Sequence, residues 1–172
     1  MKTGKLTVTA MLLSVSFAVS VIEGMIPLNF TAAVPGLKLG FANIAVAAAL
    51  FMCGKSSAFC VAVLRPFLSF IVFGNVTSFI LSLSGGLIAF CSLCMAEKLY
   101  GKVFSFCGLS VISAVFHSIG QITAACFVVS DIWIITYLPL LCAASSATGF
   151  LTGCFMNTVI PRLISSRSAK NV

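Results

Sequence analysis

Ser57-Ala58-Phe59-Cys60-Val61-Ala62-Val63-Leu64-Arg65-Pro66-Phe67-Leu68-Ser69-Phe70-Ile71-Val72-Phe73-Gly74 carries one charged side chain, Arg65, and a second apolar run, 78–96, follows almost at once. A hydrocarbon core about 30 Å thick takes roughly 20 helical residues to cross, and each of the two runs has close to that length. Working outward, further runs near 7–26, 39–54, 103–129 and 132–160 are set off by charges or by Gly, Pro, Asn and Ser. The expected fold is an all-α membrane protein, a six-transmembrane-helix bundle forming one integral domain over residues 1–172. Composition agrees: the 172 residues are 60% hydrophobic and 8% charged, with a mean hydropathy of +1.21, too apolar for one soluble core.

The first run opens with Met1-Lys2-Thr3-Gly4-Lys5, like a secretion signal, but it extends to Ile26, carries Glu23, and has no A-x-A-like cleavage site behind it. It is read as a retained first span. With the N-terminus inside, the cytoplasmic segments collect Lys2, Lys5, Lys55, Lys98, Lys102, Arg162, Arg167 and Lys170 against Glu97, while the outer segments hold Lys38 and Asp131. Both termini are therefore expected in the cytoplasm, and the location is expected to be the bacterial cytoplasmic membrane. The net charge of +7 serves this topology; the basic residues do not cluster beside interleaved aromatics, so no nucleic-acid partner is expected.

The eight cysteines fall within or at the ends of apolar runs and read as packing residues rather than a disulfide framework. Cys91-Ser92-Leu93-Cys94 has a C-x-x-C spacing but no second pair and no nearby histidine, so no metal site is expected. Gly85-Gly86 and Gly149-x-x-x-Gly153 read as close-approach points between helices.

Ionisable groups inside spans cost roughly 2.5–3.5 kcal/mol at the bilayer centre and mark either function or a paired partner. Here they are Glu23, Arg65 and His117, with Gln121 one turn beyond His117 on the same helix face and Asn43 in the second span. The segment 27–38, with two prolines and a glycine, is expected to fold back over the outer mouth of the bundle. Converging beneath it, Glu23, Lys38, Asn43, Arg65, His117 and Gln121 would bind a small polar or anionic solute. The alternative is structural: Glu23 neutralises Arg65, and His117 and Gln121 bond across helices. Ala10, Ser14 and Ala18, four apart on the first span, offer a surface for a close-packed helix, internal or a partner's.

Catalysis on a prenyl diphosphate through Mg²⁺ calls for paired carboxylates, whereas this chain has Asp131, Glu23 and Glu97, well separated. No Gly-rich phosphate loop ending in Lys-Ser or Lys-Thr is present, so ATP hydrolysis is expected from another subunit. No catalytic residue and no cofactor are assigned.

Several strings together resemble one family: Pro35-Gly36-Leu37-Lys38-Leu39-Gly40-Phe41-Ala42-Asn43-Ile44, Leu64-Arg65, Ser82-Leu83-Ser84-Gly85-Gly86, Ala114-Val115-Phe116-His117-Ser118-Ile119-Gly120-Gln121, and Tyr137-Leu138-Pro139 with Thr148-Gly149 and Thr152-Gly153. They resemble the Gx transporter family, labelled heptaprenyl diphosphate synthase component I. Serine at 118 and phenylalanine at 41 depart from the pattern, where asparagine and leucine are usual. That family is similar to the S components of energy-coupling factor transporters. The resemblance implies six spans, an outer-side solute site, small residues on the first span facing a coupling subunit, and separate ATPases. The label implies the alternative, an accessory membrane subunit beside a prenyl synthase subunit.

Overall fold

The computed structural model describes residues 3–25, 43–101 and 104–169. Among the described residues it is all-α, in the order α1 (Thr3–Met25), α2 (Asn43–Cys53), α3 (Lys55–Phe73), α4 (Val76–Ala96), α5 (Phe106–Val129) and α6 (Leu138–Ala169). Short 3-10 turns at Glu97–Leu99 and Ile132–Tyr137 lead out of α4 and into α6. Five of these segments are long and apolar enough to cross a membrane; α2 is described over 11 residues, too few to span on its own. The expected second span began at 39, and its first residues, like the segment 27–38, lie outside the described residues.

The helices alternate in direction, which follows from their turns. Gly54 (φ 97°) separates α2 from α3, and Gly74 (φ 65°) ends α3 with its N–H donated to Phe70 O at 2.8 Å; both positions favour glycine because a Cβ is disfavoured there. Asn75 then starts α4 by accepting from Ser78 N at 2.8 Å. Contacts run symmetrically about these turns: Asn43 meets Arg65 across Gly54, and Phe59 meets Phe90 and Phe70 meets Phe79 across Gly74. One end of the bundle therefore gathers Lys5, Lys55 and Lys98 (the basic end), and the opposite end gathers Gly74 and the turn at Ser130.

The basic end is closed by an apolar core that includes Ala45, Val46, Leu50, Ala58, Val61, Leu93, Phe106, Leu109, Met156 and Ile160. Phe51, Tyr100 and Phe106 stack above it with ring centroids 4.6–5.2 Å apart, and Lys55 pairs with Glu97 at 3.5 Å. A smaller apolar cluster of Leu81, Ile122, Ala125, Ile134 and Leu141 closes the other end of α4, α5 and α6. The outward surface is apolar as well, with Met11, Val15, Ile22, Phe67, Ile71, Phe127 and Phe155 exposed. Water would not tolerate that surface; a bilayer requires it. The cysteines differ from expectation: Cys53 is buried, but Cys60, Cys91 and Cys154 lie exposed on outward helix faces, so packing inside the core explains few of them.

Glycines set the helix spacing. A Cβ on Gly153 would lie 2.5 Å from Cys107 Cα, and one on Gly149 2.9 Å from Val111 Cα, so the Gly149-x-x-x-Gly153 face brings α6 directly onto the α5 backbone. Ser110 and Thr152 hydroxyls meet across this contact at 2.8 Å.

Candidate functional site

Between the two apolar clusters lies a polar layer. Arg65 is 3% exposed, a guanidinium at membrane depth inside the bundle. It donates from Nη1 to Asn43 Oδ1 at 3.2 Å, so the first residue of α2 and the middle of α3 are tied together. Glu23, buried near the end of α1, acts electrostatically on the same guanidinium. Pro66, next in the chain, has no N–H to give to the carbonyl of Ala62, one turn back.

The α4 glycines connect this arginine to α5. A Cβ built on Gly86 would stand 3.4 Å from Ala62 O and 3.6 Å from Arg65 Nη2, ordinary contact distances. One built on Gly85 would stand 2.8 Å from both His117 O and Gln121 Cγ and 2.9 Å from His117 Cε1. Glycine is therefore needed at 85 and merely convenient at 86. The pair does more than pack helices: Arg65 lies on one side of it and His117 with Gln121 on the other, both 2% exposed or less. Gly120 completes the crossing, since its Cβ would fall 2.8 Å from Gly85 Cα.

Of the six residues expected to converge, the structure thus gathers Asn43, Arg65 and Glu23 around one guanidinium and sets His117 and Gln121 across Gly85. Lys38 lies outside the described residues. Ala10, Ser14 and Ala18 are all exposed on α1, whose buried face instead carries Thr9, Ser16, Ser20 and Glu23. Asn43 is the direct hydrogen-bond partner of Arg65.

Sequence reasoning passed over Ser69 and Ser82. Ser69 stands one turn beyond Arg65 on α3, and Ser82 one turn before Gly86 on α4; they are 8% and 4% exposed. A polar residue four positions from a buried charge, or from a glycine facing one, was the available signal.

Among the described residues, two further cavities lie away from this layer. One of about 470 Å³, between α4 and α5 toward the basic end, is lined by apolar side chains such as Ile88, Met95, Leu99 and Phe116. The other, about 500 Å³, sits beside Asp131, Trp133 and Tyr137.

A bundle of long apolar helices with an apolar exterior and a buried, charged polar layer defines a multi-pass membrane protein. The chain belongs to the heptaprenyl diphosphate synthase component I family, whose model matches residues 12–159. No curated protein and no solved structure matches it.

Proposed function

We propose that this protein is the solute-binding membrane subunit of a transport system, similar to the S components of energy-coupling factor transporters and energised by separate ATPase and coupling subunits. The observation that carries the reading is the buried Arg65, held by Asn43 and set across Gly85-Gly86 from His117 and Gln121. A charged layer of this kind destabilises a membrane bundle, and recognition of a small polar or anionic solute gives a reason for keeping it. The exposed Ala10, Ser14 and Ala18 face supports a coupling partner, because close helix approach needs small side chains and the bundle leaves that face open.

In this reading the basic end faces the cytoplasm of a bacterial inner membrane. Lys55→Cys in a cysteine-free background is then expected to resist an impermeant thiol reagent applied from outside, and labelling there would invert the orientation.

The family description favours a second reading, an accessory membrane subunit of heptaprenyl diphosphate synthesis acting beside a prenyl synthase subunit. The wide separation of Asp131, Glu23 and Glu97 along the chain weighs against this chain doing diphosphate chemistry itself. Copurification from native membranes separates the two: an ATPase pair with a coupling subunit supports transport, and a soluble prenyl synthase supports the accessory role.

A further inference from the structure

Hydroxyls in membrane helices have an acceptor close at hand, the carbonyl three or four residues back. This bundle uses it repeatedly: Ser92 donates to Ala89 O at 2.8 Å, Thr123 to Ile119 O at 2.8 Å, Ser118 to Ala114 O at 3.3 Å, and Ser84 to both Leu81 O and Gly120 O. Ser69 and Ser82 do not. Each is more than nine-tenths buried, and neither hydroxyl has a hydrogen-bond partner among the described residues. The Asn43 amide is in the same condition: its Oδ1 accepts from Arg65, while Nδ2 has no acceptor among those residues.

Helix position sets the three groups toward Arg65. Asn43 is bonded to Arg65, and Ser69 follows Arg65 by one turn on α3. At about 100° per residue, Ser82 projects between the directions of Gly86, which faces Arg65, and Gly85, which faces His117 and Gln121. A buried polar group without a partner carries an uncompensated desolvation cost, so three of them, one bonded to Arg65 and two within a helical turn of Arg65 or of the glycine facing it, make a costly arrangement for a structural layer. Their chemistry is also biased. The guanidinium and the Asn43 amide nitrogen can only donate, and a serine hydroxyl can donate. What such a set lacks is an acceptor with several lone pairs and negative charge.

We infer that Arg65, Asn43, Ser69 and Ser82 form an oxyanion cradle that takes the carboxylate or phosphoryl group of the bound molecule. This rests on the solute-binding reading above and specifies the group recognised. Glu23 acts on the same guanidinium, so the incoming anion competes with it for Arg65.

The test compares the full chain, purified in mild detergent, with Asn43→Asp, Ser69→Ala and Ser82→Ala. Asn43→Asp keeps the acceptor for Arg65 but replaces the free donor by negative charge, and the alanines remove one hydroxyl each without adding volume. Bound molecules are extracted and identified by mass spectrometry, and the stripped proteins are titrated with inorganic phosphate and with acetate while melting is followed. Expected is a molecule bearing a carboxylate or phosphoryl group, retained at least tenfold less by Asn43→Asp, Ser69→Ala and Ser82→Ala, with the ligand-free melting temperature of the alanine variants at or above wild type. Recovery in the aqueous fraction identifies a free solute, and in the lipid fraction a headgroup; either supports the cradle. A retained molecule with neither group overturns the cradle and leaves the solute-binding reading standing. Equal retention by all variants, or alanine variants that melt lower with retention unchanged, makes the layer structural and overturns the cradle. Nothing retained by any of the proteins, with no response to either anion, overturns the solute-binding reading as well.

Discussion

The basic-end layer and the Arg65 layer belong to the same helices, yet they treat buried groups in opposite ways. At the basic end Val61, Leu93, Leu109 and Met156 pack to 2% exposure or less, and at the α5–α6 contact the Ser110 and Thr152 hydroxyls satisfy each other. Further along, α2, α3 and α4 bury an asparagine amide, an arginine and two hydroxyls, and the amide nitrogen and the two hydroxyls have no hydrogen-bond partner among the described residues. Packing can account for the first layer. It does not account for the second, where Ser69, Ser82 and the Asn43 amide nitrogen carry a desolvation cost that no hydrogen bond among the described residues offsets. On the proposed function, the difference separates the layer that holds the bundle together from the layer that receives a solute.

The sharpest way to break that contrast is to remove the charge. Arg65→Gln removes the cation that acts on the buried Glu23 carboxylate and is expected to destabilise the protein by about 3–5 kcal/mol, most of which Glu23→Gln should restore in the double variant. Thermal unfolding of the single and double variants in detergent measures this. Rescue with ligand retention intact would make the arginine a structural counter-ion and erase the distinction between the layers.

In the apolar layer, Leu93→Ala opens a cavity at a fully buried position and is expected to cost about 2–5 kcal/mol, with no change in what the protein retains. Loss of retention at equal residual stability would mean that the layers are coupled. Gly85→Ala should cost about 1–3 kcal/mol because the new Cβ meets the His117 carbonyl, which is backbone and cannot swing aside. Gly86→Ala, whose Cβ finds ordinary contacts, should change stability by less than about 0.5 kcal/mol. Equal costs at 85 and 86 would contradict the crossing geometry.

Most of the fold was legible in advance because membrane depth imposes a length on each helix. The run 57–74 became α3 over Lys55–Phe73, and 78–96 became α4 over Val76–Ala96. The second span was not legible in the same way: its alanine-rich middle is short, and α2 is described only from Asn43. Arg65, His117 and Gln121 were visible because charge and amide are rare in such a chain. Ser69 and Ser82 were not, since serine is abundant in these helices and its hydroxyl normally folds back on a carbonyl; only side-chain direction distinguishes these two from Ser92 or Ser118. Likewise, Gly85-Gly86 read as packing because spacing cannot show which side chains the glycines face.

The smallest effect on the fold is expected at Ser14, and there the comparison extends to the bundle's outside. Ser14 is exposed on α1, between Ala10 and Ala18, and its hydroxyl donates back to Ala10 O at 3.0 Å, within its own helix. Leucine at this position suits a helix and meets lipid, and Ser14→Leu should alter stability by less than about 0.5 kcal/mol. Ligand retention should be unchanged, because the buried face of α1, with Ser16, Ser20 and Glu23, is turned away from it. Association with a coupling subunit, by contrast, depends on backbones approaching along the small-residue face, and one leucine there should abolish it in a copurification assay. A variant that still copurifies with its partner removes the Ala10, Ser14 and Ala18 face from the interface, and one that loses stability and ligand together places that face inside the bundle's own packing.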